Sequence, residues 1–109
     1  MELIGFPFTA TDWSTVPERR MPGEHGEVTS RVREFGGVRV RRVDYSAGYV
    51  ADHWCRKGHV LYVLAGELVT TLDDGRVVVT GPGCSYQVAD GAEAHRSSAP
   101  KGASLLIVD

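Results

Sequence analysis

The sequence predicts an all-β protein built as a sandwich or barrel of short strands. Three observations support this fold class. Short runs of β-branched and aromatic residues recur along the chain, glycine-rich turns separate them, and almost no segment has helical periodicity. The 109 residues suffice for one core. We expect a single domain over residues 1–109, with an N-terminal arm and loop over 1–26 and the barrel over 27–109.

The N-terminal segment is expected to contain little regular structure. Residues 1–8 are largely apolar and should pack onto the barrel or onto a second subunit. A turn or a single helical turn is expected over 11–17, with Thr11 or Asp12 as its cap. Residues 19–26 include one proline and two glycines, which predicts a loop.

The strands of the barrel region are separated by turn signals. Gly36-Gly37 suggests a hairpin, and Asp74-Gly75 is a strong hairpin signal. Gly81-Pro82-Gly83 marks another sharp turn, and the polar residues 96–102 are predicted to be a loop. The predicted strands cover residues 28–35, 38–45, 49–54, 60–64, 68–72, 76–80, 85–88 and 105–108.

Charge and hydropathy exclude several classes of partner. The net charge of −2 gives no reason to expect nucleic acid or an anionic membrane as a partner. No apolar run is long enough to span a bilayer, and no secretory signal is visible. We therefore expect a cytoplasmic protein with reduced thiols, so Cys55 and Cys84 are not expected to form a disulfide.

Four side chains form a candidate metal site. On a strand, His53 and Cys55 would face the same side with Cα atoms roughly 7 Å apart. His59 opens the next apolar run, and His95 follows a glycine-rich turn further along the chain. Imidazole and thiolate are good ligands for borderline-soft metals, so the sequence predicts a site formed by His53, Cys55, His59 and His95.

The spacing around these residues resembles the first motif of the cupin family. That motif runs Gly, five residues, His-x-His, three or four residues, Glu, six residues and Gly. Here four residues separate Gly48 from His53-x-Cys55, three more precede His59, and six more precede Gly66. Cys55 thus stands where the family has its second histidine, and His59 where it has glutamate.

The second cupin motif, a glycine-rich turn followed by a strand and a histidine, resembles the segment from Pro82-Gly83 to His95. A narrower resemblance is to small single-domain cupins with a DHCW motif, a group without an assigned reaction. The matching segments are Asp52-His53-Trp54-Cys55, Lys57-Gly58-His59, Ser85-Tyr86-Gln87-Val88 and Ala94-His95-Arg96.

The resemblance implies a cupin-type jelly roll, or double-stranded β-helix barrel, and a homodimer paired through sheet edges or exchanged N-terminal strands. It also suggests an oxygenase, isomerase or lyase acting on a small polar molecule. The donor set suits one divalent transition metal, namely Zn, Fe, Ni, Co or Cu. Four protein ligands would close a tetrahedral site, whereas an octahedral ion would keep two positions open.

Several alternatives remain open. Cys55 could be a reactive thiol activated by His53 or His59, or the four residues could bind no metal. Tyr62, Gln87 and Glu93 could orient an imidazole or contact a substrate, and Arg41 could line a pocket mouth and bind a carboxylate. The protein could thus be a small metalloenzyme or a non-catalytic metal-bearing module that binds or senses a small-molecule ligand. A metal that only stabilises the fold is a third possibility.

Overall fold

A computed structural model describes residues 2–109 as an antiparallel all-β protein, which confirms the predicted fold class. Within this range the only helix is the 3-10 turn Trp13–Thr15, which Asp12 caps by accepting a hydrogen bond from the Ser14 N–H at 3.0 Å. The strands are β1 Arg19–Pro22, β2 Glu27–Phe35, β3 Val38–Tyr45, β4 Tyr49–Val50, β5 His59–Gly66, β6 Leu68–Leu72, β7 Val77–Thr80, β8 Ser85–Val88, β9 His95–Ala99 and β10 Ala103–Val108.

The strands form two sheets with non-sequential strand order. The larger sheet has the order β1-β2-β3-β10-β5-β8, and the smaller has the order β4-β9-β6-β7. The chain therefore crosses between the sheets several times, so residues distant in sequence meet in the interior, as in a jelly roll.

The core follows the period-two alternation of the strands. On β5, Leu61 and Val63 are buried while Val60 and Tyr62 are exposed. The largest fully buried side chains are Leu61, Leu68, Leu105, Val43 and Val63. Both sheets contribute to this set, so one apolar layer joins them.

Two segments predicted to be loops are strands. β1 lies within 19–26 and pairs with β2, and β9 lies largely within 96–102 and pairs with both β4 and β6. Their polar residues carry no strand signal, but the neighbouring strands present free backbone groups that these segments can pair with. Tertiary pairing overrides local propensity here.

The predicted strand over 49–54 is also wrong in extent, because β4 ends at Val50 and a bend follows at Asp52 and His53. Cys55 then returns to the sheet through an isolated bridge with His95. The alternation expected to place His53 and Cys55 on one side does not hold across this bend.

The N-terminal arm contacts the turn between β2 and β3. The rings of Phe6 and Phe35 lie 5.6 Å apart, and Gly36 adopts φ +60° where an added Cβ would collide with the Ile4 carbonyl. Met1, the first residue of the expected arm, lies outside the described residues. No helix within residues 2–109 is long and apolar enough to cross a bilayer.

Candidate metal site

Three of the four predicted ligands converge at one end of the two sheets. One ligand atom each of Cys55, His59 and His95 lies within 4.8 Å of the others. His59 begins β5 in the larger sheet and His95 begins β9 in the smaller sheet. The cluster therefore lies where the two sheets meet, and its residues come from three separate segments.

The backbone fixes Cys55 beside His95. The Cys55 N–H donates to the His95 carbonyl at 2.8 Å, and the His95 N–H donates to the Cys55 carbonyl at 3.0 Å. This pair of bonds is the closed pair of an antiparallel ladder, in which the two side chains point to the same side. The sulfur and the imidazole thus share one face.

Gly58 sets the entry to β5. Its N–H donates to the Asp90 side chain at 2.7 Å, and a Cβ at this position would collide with the backbone nitrogen of Asp90. Only glycine permits this close approach of two backbones. The contact fixes the first residue of β5, His59, at the edge of the cluster.

The hydrogen bonds of the two imidazoles leave one nitrogen of each ring free. His95 Nδ1 lies 2.9 Å from the Glu93 carbonyl, which can only accept, so Nδ1 carries the proton and Nε2 carries a lone pair. His59 Nε2 lies 3.1 Å from the Tyr86 hydroxyl. His95 Nε2 and His59 Nδ1 are both buried without a hydrogen-bond partner. Such orphaned atoms call for a partner, and a metal ion would supply one.

The electrostatic environment keeps His59 in the form that binds metal. Burial, followed by the neighbouring His95 and Arg41, lowers the pKa of His59 to about 4. The imidazole is therefore neutral at physiological pH, as a metal ligand must be. Burial also raises the pKa of Tyr86 well above its ordinary value, so its hydroxyl stays protonated beside His59.

A cavity of about 240 Å³ adjoins the cluster. Cys55, His59 and His95 form part of its wall, and apolar core residues form much of the rest. Its other polar lining residues are Ser30, Arg41, Tyr45, Tyr49, Asp52, His53, Tyr86 and Ser97. The volume falls below the ordinary range of drug-sized pockets, which suits a small polar molecule.

His53 lies outside the cluster. Its side chain is 72% exposed, and its Nδ1 lies 2.6 Å from an Asp52 carboxylate oxygen. Because the strand ends before the bend, the side chain does not follow the alternation that would aim it toward Cys55. His53 still lines the same cavity, so its role as a fourth ligand stays a prediction.

The four weaker candidates are placed in different surroundings. Tyr62 lies on the outer face of β5 and is 42% exposed, and Gln87 is exposed on β8. The Glu93 side chain pairs with Arg76, while its backbone carbonyl accepts from His95. Arg41 lines the cavity.

Sequence reasoning did not single out Tyr86, although it is the residue that contacts His59. The position of Tyr86 follows from the register of β8 against β5, in which His59 is opposite Val88 and Leu61 is opposite Tyr86. Leu61 is buried on the inner face of β5. The alternation then places Tyr86 on the inner face. That register is a long-range property and could not be read from the sequence.

The donor set fits a transition metal. One thiolate and two imidazoles suit Zn and neighbouring first-row ions, and three protein ligands leave at least one coordination position for water or another molecule.

Comparison with known proteins identifies the fold. No protein-family model and no curated protein matches the sequence. Among solved structures, a predicted oxalate decarboxylase from Thermotoga maritima is similar, with TM-score 0.78 and 18% identity over 92% of this chain and 96% of that one. An RmlC-like cupin from Shewanella frigidimarina has TM-score 0.68 and 21% identity over 94% of this chain and 86% of that one.

A third similar structure is ectoine synthase from P. lautus, with TM-score 0.75 and 17% identity over 93% of this chain and 76% of that one. At such low identities the likeness concerns the fold, and the narrower resemblance to the DHCW group stays a prediction. The strand topology, the site between the sheets and these neighbours together show that this small chain has the cupin fold.

Proposed function

We propose that this protein binds one divalent transition-metal ion through Cys55, His59 and His95, and that the ion acts on or holds a small polar molecule in the adjoining cavity. The observation that carries the proposal is the pair of buried imidazole nitrogens without partners, set in a cluster with a thiol. Zn, Fe, Ni, Co and Cu all suit these ligands. A cytoplasmic location, where thiols stay reduced, would keep the thiol available.

The metalloenzyme hypothesis rests on the open coordination position and the cavity beside it. A bound metal would supply Lewis acidity to a carbonyl or carboxylate in the cavity. Two neighbours carry names of enzymes that act on small molecules, a predicted oxalate decarboxylase and ectoine synthase. These names favour an isomerase, lyase or oxygenase class here, although a shared fold hosts many chemistries.

The alternative is a non-catalytic module that binds or senses a small molecule. One observation favours it. Within the described chain, the only carboxylate that lines the cavity is Asp52, which is exposed and paired with His53. A buried carboxylate that could serve as a general base is therefore missing from the wall of the cavity.

The first experiment is metal analysis of the purified protein by elemental mass spectrometry, before and after reconstitution. We expect about one equivalent in the wild type and a large loss in Cys55→Ala and His95→Gln. His53→Ala is the matched control, because His53 lines the same cavity outside the cluster. No metal uptake by the wild type overturns the proposal. If His53→Ala loses as much bound metal as the other variants, His53 is a fourth ligand. That result favours a closed tetrahedral site without an open coordination position.

We also propose that two copies of the chain pair as a homodimer. The arm exposes Leu3, Ile4 and Phe8, and the outer face of β5 exposes Val60 and Leu64. Exposed large apolar side chains of this kind are typical of surfaces that contact another protein.

A further inference from the structure

A cation lies on the inner face of the barrel, where apolar side chains are expected. Arg41 is in the middle of β3, opposite Val32 on β2 and Ile107 on β10. It lines the cavity together with Val43, which follows it on the same face of the strand. A charged group in such a position needs a partner of opposite charge.

The partner that the structure provides is shared. Asp109 accepts two hydrogen bonds from Arg39, at 2.8 and 3.0 Å, and one from Arg41 at 2.9 Å. The Asp109 side chain is only 1% exposed. Asp109 is therefore shared between two guanidinium groups, and Arg41 has only one hydrogen bond to it. In addition, Arg41 Nε is buried without a hydrogen-bond partner.

We propose that the cavity binds a small carboxylate, with one carboxylate group at Arg41 and the rest of the molecule directed toward the cluster of Cys55, His59 and His95. This proposal deepens the proposed function and rests on it, because it names the ligand class of the same site. Arg41 acts here as a binding residue that contacts the ligand.

The carboxylate fits the charge and the shape of the site. A carboxylate at Arg41 would give this guanidinium a second acceptor group beside the shared Asp109. Its planar oxygens match the guanidinium donors, and such charge-assisted pairs are strong and directional. Inorganic phosphate has no second acid group that could face the cluster, so we expect it to bind less tightly than a dicarboxylate.

The remaining walls suit the body of a small acid. Ser30 and Ser97 offer hydroxyls to the same cavity. The rings of Tyr45 and Tyr49 stack 4.2 Å apart and form a flat apolar wall. The cavity volume of about 240 Å³ admits a molecule of only a few carbon atoms beside its carboxylate.

The test is calorimetric titration with malonate, with the neutral malonamide and inorganic phosphate as comparison probes. Metal-loaded and metal-free protein are both titrated. We expect malonate to bind the wild type at least about tenfold more tightly than malonamide does, and more tightly than phosphate. Arg41→Gln should weaken malonate binding by about tenfold or more. Arg42→Gln, one residue along β3 on the opposite face, should change it less than about twofold.

Several outcomes overturn the inference. They are no malonate binding, tighter binding of phosphate, and equal binding by Arg41→Gln and the wild type. If Arg41→Gln does not fold, as judged by circular dichroism, Arg41→Lys answers the same question. It keeps the charge beside Asp109 but loses the planar donors, so weaker malonate binding supports the inference and unchanged binding overturns it.

The metal content of each sample separates the two proposals. A sample that holds metal but shows no Arg41-dependent malonate binding overturns only the carboxylate inference. A wild type that takes up no metal overturns the metal proposal, while Arg41-dependent malonate binding by the metal-free protein still supports the anion site.

Discussion

Cys55 and His95 exchange both of their backbone hydrogen bonds, at 2.8 and 3.0 Å, although they are forty positions apart in the sequence. Two proposed ligands are therefore held side by side by the backbone itself. Because strand pairing creates this arrangement, we expect the site to be largely formed before a metal binds.

Removal of the metal should leave the protein folded but less stable. Backbone hydrogen bonds and apolar packing hold the sheets together and need no metal ion, so the far-ultraviolet circular dichroism spectrum should be unchanged in a chelator. Metal at about 100 times its Kd adds about 2.7 kcal/mol, which corresponds to a Tm difference on the order of 10 °C. Thermal unfolding with and without chelator measures this, and a chelated protein without β structure would contradict it.

Tyr86→Phe should weaken metal binding without unfolding the protein. The hydroxyl lies 3.1 Å from His59 Nε2 and orients the ring. Loss of such an orienting partner typically costs about 10- to 100-fold in metal affinity. Competition with a chromogenic chelator measures the affinity. Tyr62→Phe on the outer face is the matched control and should bind metal as the wild type does; equal affinities in both variants would remove Tyr86 from the site.

The metal-free protein should lose stability as the pH falls from about 6.5 to about 4. Burial, and then His95 and Arg41, lower the pKa of His59 to about 4 in the folded state, below its ordinary value of 6.5. In this window the unfolded chain binds a proton that the folded chain does not, so unfolding becomes easier as pH falls. The full shift corresponds to about 3 kcal/mol, and solvent screening of this ring at the cavity wall should reduce the loss to on the order of 2 kcal/mol.

Urea unfolding at several pH values measures this loss, with His59→Gln as the control. Carboxylates elsewhere titrate in both proteins, so the difference between the two curves isolates His59. If the free energy of unfolding depends on pH in the same way in the wild type and in His59→Gln, the pKa of His59 is not lowered.

Asp109→Asn should destabilise the protein by about 3 kcal/mol, since it leaves two guanidinium groups without their buried carboxylate. Burial raises the pKa of Asp109, but its bonds to Arg39 and the charges of Arg41 and Arg39 outweigh this and hold the pKa below its ordinary value. Chemical denaturation measures the change. Asp74→Asn removes an exposed partner of Arg76 and should cost clearly less free energy of unfolding, since solvent screens that pair. If Asp109→Asn and Asp74→Asn lose the same free energy of unfolding, burial does not strengthen the ion pairs of Asp109.

Deletion of residues 2–8 should shift the proposed homodimer toward monomer. The arm carries exposed apolar side chains that a second copy could cover. Sedimentation velocity of the full chain and of the truncated chain measures the mass. An unchanged dimer after truncation would place the contact elsewhere, and the outer face of β5 would be tested next with Val60→Lys.

Local signals predicted much of the fold, and contacts between distant residues determined the rest. The alternation of apolar and polar residues predicted β3 and β6 with their observed bounds. The spacing of the two motifs indicated His59 and His95 as candidate ligands. The polar strand β9 carried no pattern of its own, because its place follows from pairing with β4 and β6. The bend at His53 interrupts the alternation on which its role as a ligand was argued.

The two histidines of the cluster belong to different sheets, His59 to the larger and His95 to the smaller. A metal ion bound to both would act as a cross-link between the layers at that end of the barrel. Amide hydrogen exchange should then slow at the first residues of β5 and β9 when metal is added, while the last residues of the same strands, toward Gly66 and Ala99, exchange as before. The ion would suppress local unfolding at one end of the barrel and leave local unfolding at the other end unchanged.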